Sequence, residues 1–192
     1  MILGMSLATF TMVHVIISLI AIVAGLVVMF GMLGSKRIPS LTAIFLASTI
    51  LTNASGLLIP PLLFEKPLPS HMIAILSLVL LGMACFALYG MRLAGSWRWI
   101  YVLTALLSLY LNVFVLVIQS FLKVPALHAL APSVPPAEPP FAIVQGIVLV
   151  SFVVVIIGAI RRYRPELAAA DMRPQRDLTP AAWGTRSLST RK

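Results

Sequence analysis

Five long apolar stretches, with charge confined to their ends and connections, constrain this chain more than any other feature. They run approximately over Ala8–Leu33, Ser40–Pro60, His71–Leu93, Trp97–Leu122 and Phe141–Ile160. Each is long enough to cross a hydrocarbon core of about 30 Å at about 1.5 Å rise per residue. The runs are continuous rather than alternating, which argues against a β-barrel. The expected fold is all-α: an integral membrane bundle of five transmembrane helices within residues 1–164. A proline-rich loop spans 123–140 and a basic tail spans 165–192.

Composition supports the same class. Of 192 residues, 60% are hydrophobic and only 10% charged, whereas about a quarter of a soluble domain is charged. The first run has no basic residue before it and no small-residue cleavage site, so it reads as a transmembrane helix rather than a signal peptide. The single cysteine, Cys85, excludes an internal disulfide and a multi-cysteine metal site.

The net charge of +9 points to topology, not to nucleic acid. Lys36 and Arg37 lie between the first two runs, and Arg92 and Arg98 bracket the turn between the third and fourth. Eight more basic residues follow the fifth run. These segments share one side and hold twelve basic residues, against two, Lys66 and Lys123, on the other. Basic residues near span ends are retained in the cytoplasm. The expected orientation is N-terminus outside and C-terminus inside, in a bacterial inner membrane. Trp97, Trp99 and Tyr101 form an aromatic anchor on the inner face. The expected partners are the lipid bilayer and other membrane subunits.

Local signals delimit the helices. Ser40, Ser70 and Ser96 precede apolar runs and are expected to cap them. Pro60-Pro61 stops the second run, and Pro139-Pro140 opens the fifth. Gly34 and Gly95 suit turns. Short connections predict that the first four spans pack as antiparallel neighbours. The tail is expected to be disordered.

Polar residues inside the spans fall on faces. Tyr101, Thr104, Ser108, Asn112 and Gln119 share one side of the fourth span. Thr42, Thr49, Thr52, Asn53 and Gly56 share a side of the second. His14, Ser18, Ala21 and Gly25 step along the first, and His71, Ala74, Leu78, Gly82 and Cys85 along the third. Helix packing accounts for such stripes, because small residues let backbones approach and hydroxyls and amides bond across helices. A cavity between helices is the functional alternative. In the expected orientation His14, Asn53, His71, Gln119 and Gln145 all fall in the outer half of the membrane, which is where a site is expected.

His14 and His71 begin from the same side at comparable depth. Imidazoles on facing helices suit the axial positions of a b-type haem, or hydrogen bonds to a quinone carbonyl. Structural hydrogen bonding is the simpler account of both. His128, in the outer loop, is a further metal-ligand candidate. Asn53, Asn112, Gln119 and Gln145 are the candidate cavity-lining residues. No Asp or Glu lies inside a span, which argues against ion-coupled transport. No HExxH, GxSxG, Walker or Rossmann pattern is present, so no catalytic residues are assigned.

The strings TMVHVIISLIAIVAGLVVMFGMLGSKR, LTAIFLASTILTNASGLLIP and GSWRWIYVLTALLSLYLNVFVLVIQSFLKVPALHALAP resemble a family of small, uncharacterised proteobacterial multi-span inner-membrane proteins. That resemblance implies a bacterial inner membrane and a compact helical bundle, and no activity. His14 and His71 also resemble the histidine pairs of b561-type four-helix cytochromes. The function expected first is a non-catalytic accessory, assembly or structural partner of a larger membrane complex. The alternatives are a haem b- or quinone-binding redox protein using His14 and His71, and a channel or carrier for a neutral solute.

Overall fold

A computed structural model describes residues 4–59 and 69–164. The expected stop at Pro60-Pro61 and the expected disordered tail over 165–192 lie outside the described residues.

The described residues form six α-helices: α1 (Leu7–Leu33), α2 (Pro39–Gly56), α3 (Pro69–Cys85), α4 (Trp97–Lys123), α5 (Pro125–His128) and α6 (Pro139–Arg162). Beyond Cys85, α3 continues as a π-helical turn, Phe86–Gly90. Among the described residues four helical stretches are long and apolar enough to cross a membrane: Leu7–Leu33, Ser70–Gly90, Trp97–Lys123 and Pro139–Arg162. The second run folds as a shorter helix. The 18 residues of α2 rise about 27 Å, and Thr42, Ser48, Thr49, Thr52 and Asn53 of that helix are buried.

Helix α4 is the centre of the bundle, touching α1, α2, α3 and α6, while α1 packs chiefly on α2 and α3 on α4. Half of the most apolar stretch of α4 is buried, against 11% of that of α6. The core between them holds Met32, Phe45, Leu81, Val102, Leu106 and Leu109. Outward faces carry the exposed apolar side chains Val23, Phe30, Val79, Ile147 and Val154.

Gly25 marks the tightest helix approach in the core. A Cβ at Gly25 would stand 2.6 Å from Leu109 Cδ1 and 2.8 Å from the Phe45 ring. Gly25 therefore lets α1 sit against both α2 and α4. Gly82 plays no such part: nothing lies within 4 Å of the Cβ it lacks, and it is exposed. The expected stripe on α3 is corrected accordingly. Its buried face is His71, Ala74, Ser77, Leu81 and Ala84, in steps of three and four from His71 that pass over Leu78, Gly82 and Cys85.

The serine caps are also corrected. Helices α2 and α3 open at Pro39 and Pro69, so Ser40 and Ser70 lie inside the first turn. Proline fits there because its missing N–H would have no helical partner. Ser96 does precede α4, but its φ and ψ are already helical and its side chain makes no capping bond. The hydroxyl that caps is Ser6, accepting from the Thr9 N–H at 3.1 Å. Pro139-Pro140 opens α6 as expected.

One end of the bundle gathers the basic turns. Arg98 at the start of α4 donates to the Tyr163 carbonyl after α6 at 2.7 Å. The Arg164 N–H donates to Ser35 Oγ in the α1–α2 turn at 2.8 Å. Gly95, at φ +52, completes the α3–α4 turn beside them. The opposite end carries Lys123, α5 and the loop to α6. There Glu138 accepts from the Ser133 N–H and hydroxyl at 3.0 and 2.9 Å, and from the Ala137 N–H at 3.1 Å. Desolvation pushes the Glu138 carboxyl up, but these hydrogen bonds outweigh it and hold the group below its ordinary range.

Candidate functional site

At the end away from the basic turns, α1, α2, α3 and α4 diverge around a cavity of about 540 Å³. That volume falls within the range of small-molecule sites, about 300–1,000 Å³. His14 enters from α1, Thr52 and Asn53 from α2, His71 from α3, and Asn112, Gln119 and Lys123 from α4. Most of the remaining wall is aliphatic, including Val15, Leu19, Ile22, Leu111 and Val115.

Each polar group reaches the cavity for a local reason. His14 sits a little over one turn beyond Phe10 on the side of α1 that later buries Ala21 and Gly25. Asn53 and Thr52 end the polar face of α2. Asn112 continues the buried row of Tyr101, Thr104 and Ser108 along α4. Gln119, two turns further on, is exposed at the cavity mouth. His71 lies in the first turn of α3 and is 3% exposed.

The hydrogen bonds divide these groups into two sets. Asn53 is structural. Its Nδ2 donates to the Thr49 carbonyl at 2.8 Å and to Ser77 Oγ of α3 at 3.1 Å. Ser108 Oγ of α4 donates to the Ser77 carbonyl at 3.4 Å. A polar seam thus ties α2, α3 and α4 together beneath the cavity. His14 is oriented from α2 as well, through a 2.8 Å contact between Nδ1 and Ser55 Oγ.

Thr52 and Asn112 form the second set. Both are at least nine-tenths buried, and Thr52 Oγ1 and Asn112 Nδ2 have no hydrogen-bond partner. Buried polar groups are ordinarily paired, and an unpaired one costs about 1–3 kcal/mol. A hydroxyl in a helix commonly donates back to a carbonyl one turn earlier, as Thr49 and Thr104 do here. Thr52 does not. Two unpaired groups on facing helices, both at the wall of one cavity, are the chemical signature of this end of the bundle.

Four of the five residues expected in the outer half, His14, Asn53, His71 and Gln119, meet at this cavity, and Asn112 joins them. Gln145 does not. It packs on α6 against α4, where Nε2 donates to the Phe114 carbonyl at 3.3 Å and Oε1 is buried without a partner. His128 in α5 also stands apart from the cavity wall, which removes it as a third ligand beside the histidine pair. Among the described residues no three His, Cys, Asp or Glu side chains converge.

Three contributors carried no signal in the sequence. Ser55 orients His14 across 41 positions, and Ser77 meets Asn53 across 24. Both are short hydroxyl side chains, and only the tertiary fold shows what they face. Lys123 reads as a span end, yet lies at the wall. Thr52 was visible on the polar face of α2, but its lack of a helix-internal bond was not.

Comparison with known protein-family models, with characterised proteins and with solved structures finds no match to this chain. The reading of the site therefore stands on its residues. Imidazoles, amides, hydroxyls and one ammonium surround an aliphatic chamber, a combination suited to holding the polar head of an otherwise apolar molecule.

Proposed function

We propose that this chain is a five-span inner-membrane protein, N-terminus outside and C-terminus cytoplasmic, that binds a lipid-like molecule in the outer half of its bundle. It acts as the ligand-holding partner of a larger membrane complex rather than as an enzyme on its own. The observation that carries this reading is the pair Thr52 and Asn112, unpaired in the wall of a chamber of about 540 Å³. A bundle that needed these helices only to pack would gain by closing the space with aliphatic side chains. The basic turns at the far end favour the stated orientation, and the buried polar face of α2 favours reading that helix as the fifth crossing.

Extraction of the purified protein with organic solvent, followed by mass spectrometry, tests the proposal. An amphiphile close to one per chain is expected. It should fall at least several-fold in a Thr52→Val, Asn112→Leu double variant that keeps its thermal stability. Lipid content equal to that of an unrelated helical membrane protein, and unchanged in the variant, refutes the reading.

A second reading, a b-type haem between His14 and His71, is favoured by one fact: both imidazoles reach the same cavity. The Nδ1 contact to Ser55 leaves Nε2 of His14 as the coordinating nitrogen. The cavity wall supplies one cation, Lys123, for two propionates. A Soret band in the purified protein, lost in His14→Ala, would establish this reading. A colourless preparation refutes it.

A further inference from the structure

The hydrogen bonding of His14 narrows the kind of head the cavity accepts. Ser55 Oγ carries one proton and has two neighbours, the Thr52 carbonyl at 3.1 Å and His14 Nδ1 at 2.8 Å. A carbonyl can only accept, so satisfying both contacts sends the serine proton to Thr52. The Nδ1 contact is then made by an Nδ1–H donating to Ser55 Oγ. In that tautomer Nε2 holds a lone pair and no proton, and His14 is an acceptor toward the cavity.

The ring is also held in place. His14 Cε1 lies 3.4 Å from where a Cβ on Gly56 would stand, so the imidazole edge packs close against α2. Ser18 Oγ is committed to the His14 carbonyl at 2.7 Å, and Ser120 Oγ to the Leu116 carbonyl at 2.8 Å. Neither hydroxyl proton competes for Nε2.

Two donor-bearing residues share the cavity wall with this acceptor. Thr52 has an unspent hydroxyl, and Asn112 an unspent Nδ2 amide. A half-turn about χ2 exchanges the two ends of the Asn112 amide, so its N–H₂ can be presented to a ligand oxygen. A wall with an imidazole acceptor on α1 and donors on α2 and α4 is complementary to an oxygen that both gives and receives a hydrogen bond. That group is an un-ionised hydroxyl.

On the strength of the binding reading above, we infer that the cavity recognises a neutral amphiphile by a hydroxyl that donates to Nε2 of His14 and accepts from Thr52 or Asn112. Hydroquinones and monoacylglycerols both carry this chemistry. Quinones, ethers and full esters lack the proton, and leave Nε2 facing them unpaired.

The test uses the full-length protein, stripped of lipid in detergent and kept anaerobic. Binding is measured for a decyl hydroquinone, its oxidised quinone, its dimethyl ether and a monoacylglycerol. Loss of one hydrogen bond with an acceptor left unpaired corresponds to roughly tenfold weaker binding. The hydroquinone should therefore bind roughly tenfold more tightly than its quinone and its dimethyl ether. That preference should vanish in His14→Ala and return in His14→Gln, which restores an acceptor, with thermal midpoints confirming that both variants fold. A tighter monoacylglycerol that loses affinity on etherification assigns the same chemistry to a glyceride source. Equal binding of hydroquinone, quinone and ether overturns the hydroxyl preference and leaves the binding reading intact. Binding of none of the probes, together with no co-purified amphiphile, overturns both.

Discussion

Replacing Asn112 by leucine should stabilise the ligand-free protein, and replacing Asn53 by leucine should destabilise it. The two asparagines are similar in burial, 9% and 7% exposed, and differ in bonding. Asn112 Nδ2 has no partner, so removing it removes a penalty of about 1–3 kcal/mol. Leucine matches asparagine in its number of side-chain heavy atoms, and the adjoining chamber accommodates its bulkier methyl groups. Asn53 Nδ2 makes two bonds, one within α2 and one to Ser77 of α3. Interhelical bonds of this kind contribute about 0.6 kcal/mol on average and up to about 1.7 in membrane bundles. At about 2–4 °C per kcal/mol for a chain of this size, Asn112→Leu should raise the thermal midpoint by roughly 2–12 °C. Asn53→Leu should lower it by roughly 1–7 °C on the same scale. The assay is tryptophan fluorescence on heating lipid-stripped protein in detergent. Stripping matters, because a bound ligand would pair Asn112 and reverse the sign. A fall in midpoint for Asn112→Leu comparable to that of Asn53→Leu would show that Asn112 is a packing residue, and the argument for the site would fail with it.

Three further outcomes follow from other parts of the bundle. Gly25→Ala places a Cβ against Leu109 and Phe45, both fully buried; it should cost about 1–3 kcal/mol, while Gly82→Ala, in open space, should be near neutral. Equal thermal midpoints for the two would refute the close approach of α1. Glu138 has its carboxyl lowered from the ordinary 4.5, so it stabilises its loop above that value and ceases to as pH falls through the lowered one. Hydrogen exchange should show the Ser133 and Ala137 amides losing protection on acidification, with no such pH dependence in Glu138→Gln. For topology, exposed Ala129 and Ala94 become single cysteines in a Cys85→Ala background. A membrane-impermeant maleimide should label A129C on intact cells and A94C only after permeabilisation; the reverse pattern refutes the orientation.

How much was legible in the sequence varied with the range of the interaction involved. Helix positions were readable because hydrophobic length is a local property: the ends of α1, α4 and α6 fall within two residues of the apolar runs. The serine caps failed because Pro39 and Pro69 begin their helices one residue earlier, and a proline already removes one of the donors a cap would satisfy. The stripe on α3 failed at Gly82 because small size alone does not say which face meets a neighbour. Buried Ser77 lies one place before Leu78 on the expected stripe, a rotation of about 100° that only contact with α2 and α4 settles.

The sequence by itself determined that this is a helical chain with several membrane-length apolar segments, that twelve of its fourteen basic residues belong to one set of connections, and that its strongest polar side chains cluster toward the other. These are properties of composition and period, and water and hydrocarbon read them one segment at a time. Tertiary structure alone decided which polar groups are spent. Asn53 and Asn112 look alike in the chain, yet one is consumed by a seam across α2, α3 and α4 and the other is left unpaired at a cavity wall. A hydrogen bond needs two partners within about 3 Å, and which side chains come that close depends on how separate helices are set against one another.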